Sequence, residues 1–344
     1  MRSVLRKVGA LAPVITFFTL FLFFSLISDT FFTPANIFNI FEQISALAIM
    51  AVGVTFVLLC AEIDLSIENM AIFSGVLAAS LYAYLKAAHP GMPAFLAQCV
   101  PILAAVVATA ALGYANGFGT ARLGLPSFMM TLAMLLITRG LALFITKGRP
   151  FFDIPPVLTK IGSGAVGIFS HTDESGAVRA LIEIPVITIV ALVFLAVGFV
   201  VLKYTRFGRE VYMVGGSRKA AELAGINVKG IVSACLCICG VTAGLSGVVL
   251  IGRLGSAQAG GLEDMLIGCI SAVVLGGTSL FGGKGGIPNT IIGLLTFGVL
   301  YNGLNHVEID IYLKQFISGI ILLGALVLNV AMARIKTPDN AVAG

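Results

Sequence analysis

The sequence predicts an all-α, polytopic membrane protein of about ten transmembrane helices, forming one domain over residues 1–344. Three observations predict it. The chain is 58% hydrophobic and only 11% charged, whereas soluble domains carry about 25% charged residues. Its apolar stretches repeatedly approach the roughly 20 residues that a bilayer-spanning helix needs. Its 40 glycines follow no three-residue period, which fits closely packed membrane helices and excludes collagen. A soluble chain this apolar could not cover its surface with polar groups. The composition therefore excludes a soluble enzyme, a disordered chain and a nucleic-acid binder.

The uncharged runs are 8–28, 43–61, 69–85, 87–121, 123–138, 184–202, 230–252, 265–283, 285–307 and 315–333. The fourth opens on a turn, His89 to Pro93, so its helix is expected near residue 94. The fifth is short but continues past Arg139 to Thr146. An even number of spans puts both termini on one side of a bilayer. In that arrangement thirteen Lys and Arg fall on the side of the termini and seven on the other. The positive-inside rule then makes both termini cytoplasmic. Residues 148–183 become a long external loop, where a cysteine placed at Ser175 is expected to react from outside. Residues 203–229 become a basic cytoplasmic loop. The first apolar run is long enough to span and no clear cleavage site follows it.

Several motifs read as packing or loop. Gly162 to Gly167 matches a dinucleotide fingerprint but follows no expected strand and opens no helix, so a flexible loop is expected. Gly276 to Gly286 resembles a phosphate loop. Its first glycine would have to stand at Thr278, and Gly285 replaces the magnesium-binding hydroxyl. No nucleotide site is evident. All six cysteines sit in apolar runs, which argues against a disulfide framework. Cys235 and Cys239 can share a helix face while Cys237 cannot, and no histidine lies near, so small packing residues are expected rather than a metal site. Gly240 and Gly244 form a small-xxx-small pair that lets helices approach. Arg139 falls near mid-span, where a cation must be paired or hydrated. Asp64 and Glu62 are its candidate partners. A pathway or gate role and a structural ion pair both fit it.

Within 203–229, Ser217 is placed as an N-cap and Gly225 as the residue just beyond a C-cap. Between them Arg218, Lys219, Ala220, Ala221, Glu222, Leu223 and Ala224 make about two helical turns. Ala220, Ala221, Leu223 and Ala224 are expected to form one apolar face. So short a helix is marginal alone in water. Docking against a partner and lying on anionic lipid both account for it.

The segment Ala51 to Ser66, with its Ile63-Asp64-Leu65-Ser66 core, resembles the permease subunits of monosaccharide ABC importers of the ribose, xylose and galactose type. Further matches follow in order: Asn116-Gly117, Pro126-Ser127-Phe128, Thr131-Leu132, Arg139-Gly140, Thr205 to Gly208, Gly225-Ile226-Asn227, Ser256-Ala257-Gln258, Ala272 to Ser279, Gly282 to Gly285 and Asn302-Gly303-Leu304. The resemblance covers roughly residues 30–330 and rests on ordered spacing rather than on any single motif. The family usually has glycine where Glu62 and Glu68 stand, and commonly has glycine at Asn289. Three carboxylates within seven residues would repel unless paired, hydrated or protonated.

The resemblance implies the ABC-importer permease fold in a bacterial inner membrane. Two permease subunits, identical or paralogous, would surround a path. A periplasmic binding protein would deliver the sugar, and a separate ABC ATPase would bind ATP and magnesium. This chain would then be no enzyme and hold no cofactor. Ser217 to Gly225 would be the coupling helix seated on the ATPase. Neutral sugars call for neutral hydrogen-bonding groups, so the path or gate candidates are Asp64, Ser66, Asn116, Thr131, Arg139, Gln258, Asn302 and Asn305. Interhelical hydrogen bonding is the alternative use of each. The competing functions are a branched-chain amino acid ABC permease and an ion-coupled secondary transporter.

Overall fold

The computed structural model describes residues 2–172, 178–260 and 265–307, with single positions between 313 and 327. The helices are α1 (Arg2–Ile27), α2 (Pro34–Leu59), α3 (Ile67–Ala88), α4 (Ala94–Ala121), α5 (Ser127–Thr146) and α6 (Pro156–Gly162). A hairpin of β1 (Ala165–Thr172) and β2 (Val178–Pro185) follows, then α7 (Val186–Tyr204), α8 (Arg206–Gly216) and α9 (Arg218–Leu223). The described fold closes with α10 (Val228–Leu254), α11 (Met265–Leu275) and α12 (Ile287–His306). Seven of these helices are long and apolar enough to cross a bilayer, so the chain is a multi-pass membrane protein. Expected spans at 8–28 and 265–283 appear with shorter apolar helices, and 315–333 lies outside the described residues as an element.

Two expectations are corrected. The run 265–283 is not one helix, because α11 stops at Leu275. Its 11 residues rise only about 16 Å, against a hydrocarbon core of about 30 Å. The helix stops where glycines take over: Gly277, Gly282, Gly283, Gly285 and Gly286 all have positive φ. The loop 148–183 is not a bare flexible segment. It holds α6 and an antiparallel hairpin registered Ala165 against Pro185. Gly162 to Gly167 bridges these two elements and has no place in a βαβ unit. Ser175 lies outside the described residues.

Helix α10 is the axis of the fold, packed against α2, α3, α4 and α6. Its small residues explain how. A Cβ at Gly240 would strike the Thr109 carbonyl of α4, and one at Gly247 would strike the Ala71 carbonyl of α3. With little hydrophobic drive between helices in lipid, such close approach supplies van der Waals contact instead. Helix α2 is buried over most of its length, whereas α4 and α5 present exposed apolar faces. Those faces carry Leu103, Val107, Leu132, Leu136 and Phe144.

The chain between α2 and α3 turns inside this core. Cys60 lies against Cys235, with the sulfurs 3.4 Å apart, and Cys239 faces Asp64. Cys237 points the other way, toward the Ala110 carbonyl of α4, as helical geometry requires. Cys239 stands eleven residues after Val228 in α10, which is about 16 Å along the helix. The turn therefore reaches well into the helix bundle, past the start of α10.

Candidate functional site

Irregular backbone at membrane depth survives only if protein groups satisfy it. Here α5 does so. Ser127 and Thr131, one helical turn apart, face the turn. Ser127 Oγ accepts from the Ile63 amide at 3.2 Å and Thr131 Oγ1 from the Leu65 amide at 3.0 Å. The turn is tight: Ala61 takes φ +57°, rare for a residue with a side chain.

Buried within it, Asp64 Oδ1 accepts from the Ser66 amide at 2.8 Å and from Ser66 Oγ at 2.6 Å. Asn116 of α4 donates to Ser66 Oγ at 3.0 Å. Cys239 of α10 completes the shell around Asp64, whereas Asn116 Oδ1 is buried without a hydrogen bond. A buried polar atom in that condition is costly, and it offers an acceptor to a hydroxyl-bearing ligand.

The three neighbouring carboxylates are separated by their partners. Glu62 pairs with Arg218 of α9. Asp64 is held by Ser66. Glu68 Oε2 accepts from the Leu266 amide at 2.6 Å, setting a negative charge on the start of α11, where the helix dipole favours it. Arg139 lines a cavity of about 340 Å³ with Glu68, Asn69, Leu135, Gly260 and Leu266. Asp64, Ser66, Asn116 and Thr131 thus gather at the turn, while Arg139 lies eight residues farther along α5, on the cavity.

The other path candidates stand apart. Gln258 is exposed beyond the end of α10, next to Ala257, which bridges to Phe151. Asn302 is buried and accepts from Asn36 Nδ2 at 2.9 Å, tying α12 to α2. Asn305 is exposed near the end of α12.

At the opposite end from the β hairpin, residues 203–229 fold as two helices. Val211 and Val214 bury one side of α8, and Arg206 and Arg209 lie outside. Tyr212 donates to the Gly285 carbonyl at 2.9 Å. Burial pushes its phenol up, so it remains a neutral donor. Ser217 caps α9 by accepting from the Ala220 amide, Ala224 closes it, and Gly225 takes φ +78°. Lys219, Ala220, Glu222, Leu223 and Ala224 are exposed. Ala221 is not: it is 1% exposed and packed into the main core. The expected single apolar face is thus divided, with Ala221 turned inward.

Sequence reasoning passed over Ser127 as a site residue, although its spacing of four from Thr131 put both on one face of α5. It noted Glu62 and Glu68 without finding their partners, which lie 156 and 198 residues away.

Comparison with known proteins fits this architecture. A family model described as the permease component of a branched-chain amino acid transport system matches residues 36–326. The ribose import permease protein of Escherichia coli strain K12 is 35% identical over 308 residues, covering 89% of this chain and 88% of that protein. The ribose import permease protein of Bacillus subtilis strain 168 is 34% identical over 331 residues, covering 95% and 94%. The D-allose transport system permease protein of Escherichia coli strain K12 is 33% identical over 311 residues, covering 90% and 87%. The relatives are named for sugars although the matched family is described for amino acids. This chain belongs to that family of transport permeases, alongside its sugar-import members.

Proposed function

We propose that this chain is the permease subunit of an ATP-driven importer and moves a monosaccharide or related polyol delivered by a periplasmic binding protein. The observation that carries the reading is the buried, unfinished polar network at the α2–α3 turn. Asp64, Ser66 and Asn116 are joined there by hydrogen bonds, and Asn116 Oδ1 is left without a partner. Polar groups inside a membrane protein mark a pathway by default, and a few convergent hydrogen-bonding groups suit a hydroxyl-rich solute. The names of the relatives favour a sugar over a branched-chain amino acid, and favour an ABC permease over an ion-coupled carrier. Gln258, Asn302 and Asn305 are kept as secondary path candidates.

Energy comes from a separate ATPase, which binds the ATP and magnesium; this chain binds neither. Its docking element is α9 with the neighbouring 276–286 turn. Leu223 is 83% exposed and Phe281 88%, more than any other large apolar side chain described. Neither stands on a candidate span, and exposed apolar groups of this size favour cover by a protein partner. Gly283 abuts Gly216, just before α9, which places the two elements side by side. A second permease subunit, identical or paralogous, completes the path. The protein resides in the bacterial inner membrane with both termini cytoplasmic.

The test is reconstitution in vesicles with the co-purifying ATPase and binding protein, measuring uptake of labelled ribose, allose and arabinose. ATP-dependent uptake that survives dissipation of ion gradients is expected, and Asn116→Ala should impair it. Uptake by the lone chain driven by an ion gradient would refute the assignment.

A further inference from the structure

We infer that the Arg218–Glu62 ion pair is the link through which movement of α9 reaches the Asp64 turn, making Glu62 a positioning residue for coupling. The inference rests on the importer reading above and adds to it a route through this chain. Helix α9 has only six residues and ends at Gly225, which takes φ +78°, with extended backbone at Ser217 before it. Its inward anchors are Ala221, set in the core, and Arg218, whose guanidinium reaches the Glu62 carboxylate.

The two charges differ in setting. The Arg218 side chain is 51% exposed and that of Glu62 only 7%. A carboxylate so buried cannot exchange its cation for water without penalty, so it follows the guanidinium when α9 shifts. Glu62 stands two residues before Asp64 on the same irregular stretch. The amides of Ile63 and Leu65 hold to α5 through hydroxyl acceptors on Ser127 and Thr131, whose bonds can re-form after a small displacement. A pull on Glu62 therefore moves Asp64 and Ser66 without unwinding a helix. Nearby, the Gly283 amide donates to the Leu59 carbonyl at 3.0 Å and fixes the end of α2 just before the moving stretch.

A purely structural pair would be satisfied once both charges are removed together; a link would not. The experiment compares wild type, Glu62→Asp, the double variant Glu62→Gln/Arg218→Gln and the reversed pair Glu62→Arg/Arg218→Glu, each reconstituted with the co-purifying ATPase and binding protein. Sugar imported per ATP hydrolysed is the readout, with melting temperature and ATPase affinity measured beside it. The double variant should lose about tenfold in transport per ATP while melting temperature stays near wild type, and Glu62→Asp, which leaves α9 untouched, should keep wild-type ATPase affinity. Glu62→Asp, the mildest change, should lose several-fold, and the reversed pair should recover a substantial part. Wild-type coupling in Glu62→Asp or in the double variant overturns the link. So does a folded reversed pair that recovers nothing. Absence of ATP-driven uptake by wild type refutes the importer reading instead.

Discussion

Replacing Leu223 by alanine should weaken ATPase binding without harming the permease itself. In the isolated chain this side chain is 83% exposed, so nearly all its apolar surface remains to be buried by a partner. The substitution removes three carbons, each worth about 0.8 kcal/mol on burial, or roughly 2 kcal/mol in all. At 1.4 kcal/mol per tenfold, the dissociation constant should rise about 30-fold. Ala221 is the contrasting control two residues away, on the opposite side of the helix. It is 1% exposed, so Ala221→Leu should overpack the core at a cost of about 1–3 kcal/mol and lower the melting temperature. The assay is binding of the ATPase to purified permease in detergent, with thermal unfolding measured on the same samples. Leu223→Ala with an unchanged dissociation constant would refute α9 as the docking element. Equal loss of stability in both variants would refute the division of its faces.

Three further outcomes follow from the packing. Thr131→Val leaves the Leu65 amide without its acceptor, at about 1–3 kcal/mol, and should lower the melting temperature by roughly 2–10 °C; Thr131→Ser should not, and equal behaviour of the two would count against the α5 clamp. A membrane-permeant oxidant should join Cys60 to Cys235, whose sulfurs are 3.4 Å apart, giving a linked peptide pair on mass mapping that Cys60→Ser abolishes. Recovery of both peptides unlinked would contradict that juxtaposition. Gly247→Val drives a side chain into the Ala71 carbonyl, so well-dispersed protein should be largely lost; normal yield and stability would mean α3 and α10 are not in such close contact.

Local chemistry made much of this readable in the sequence. The lipid-embedded class follows from composition, and most spans from uncharged length. The caps of α9 at Ser217 and Gly225 follow from residue types that satisfy helix ends wherever they occur. The opposed facing of Cys235 and Cys237 follows from helical period alone. The end of α11 at Leu275 was less legible, because an uncharged run has the same hydropathy whether or not its glycines continue a helix.

What the chain alone determined is therefore the kind of protein, its ordered spans and the short capped helix in its basic loop, because these depend on residues within a turn or two of each other. Only tertiary structure decided that Glu62 goes to Arg218, Asn116 to Ser66 and Glu68 to the start of α11. It also decided that Ala221 faces inward and that Asn302 binds Asn36. Most of those partners meet across more than a hundred residues of chain, and helix packing, which no local period encodes, brings them within hydrogen-bonding range.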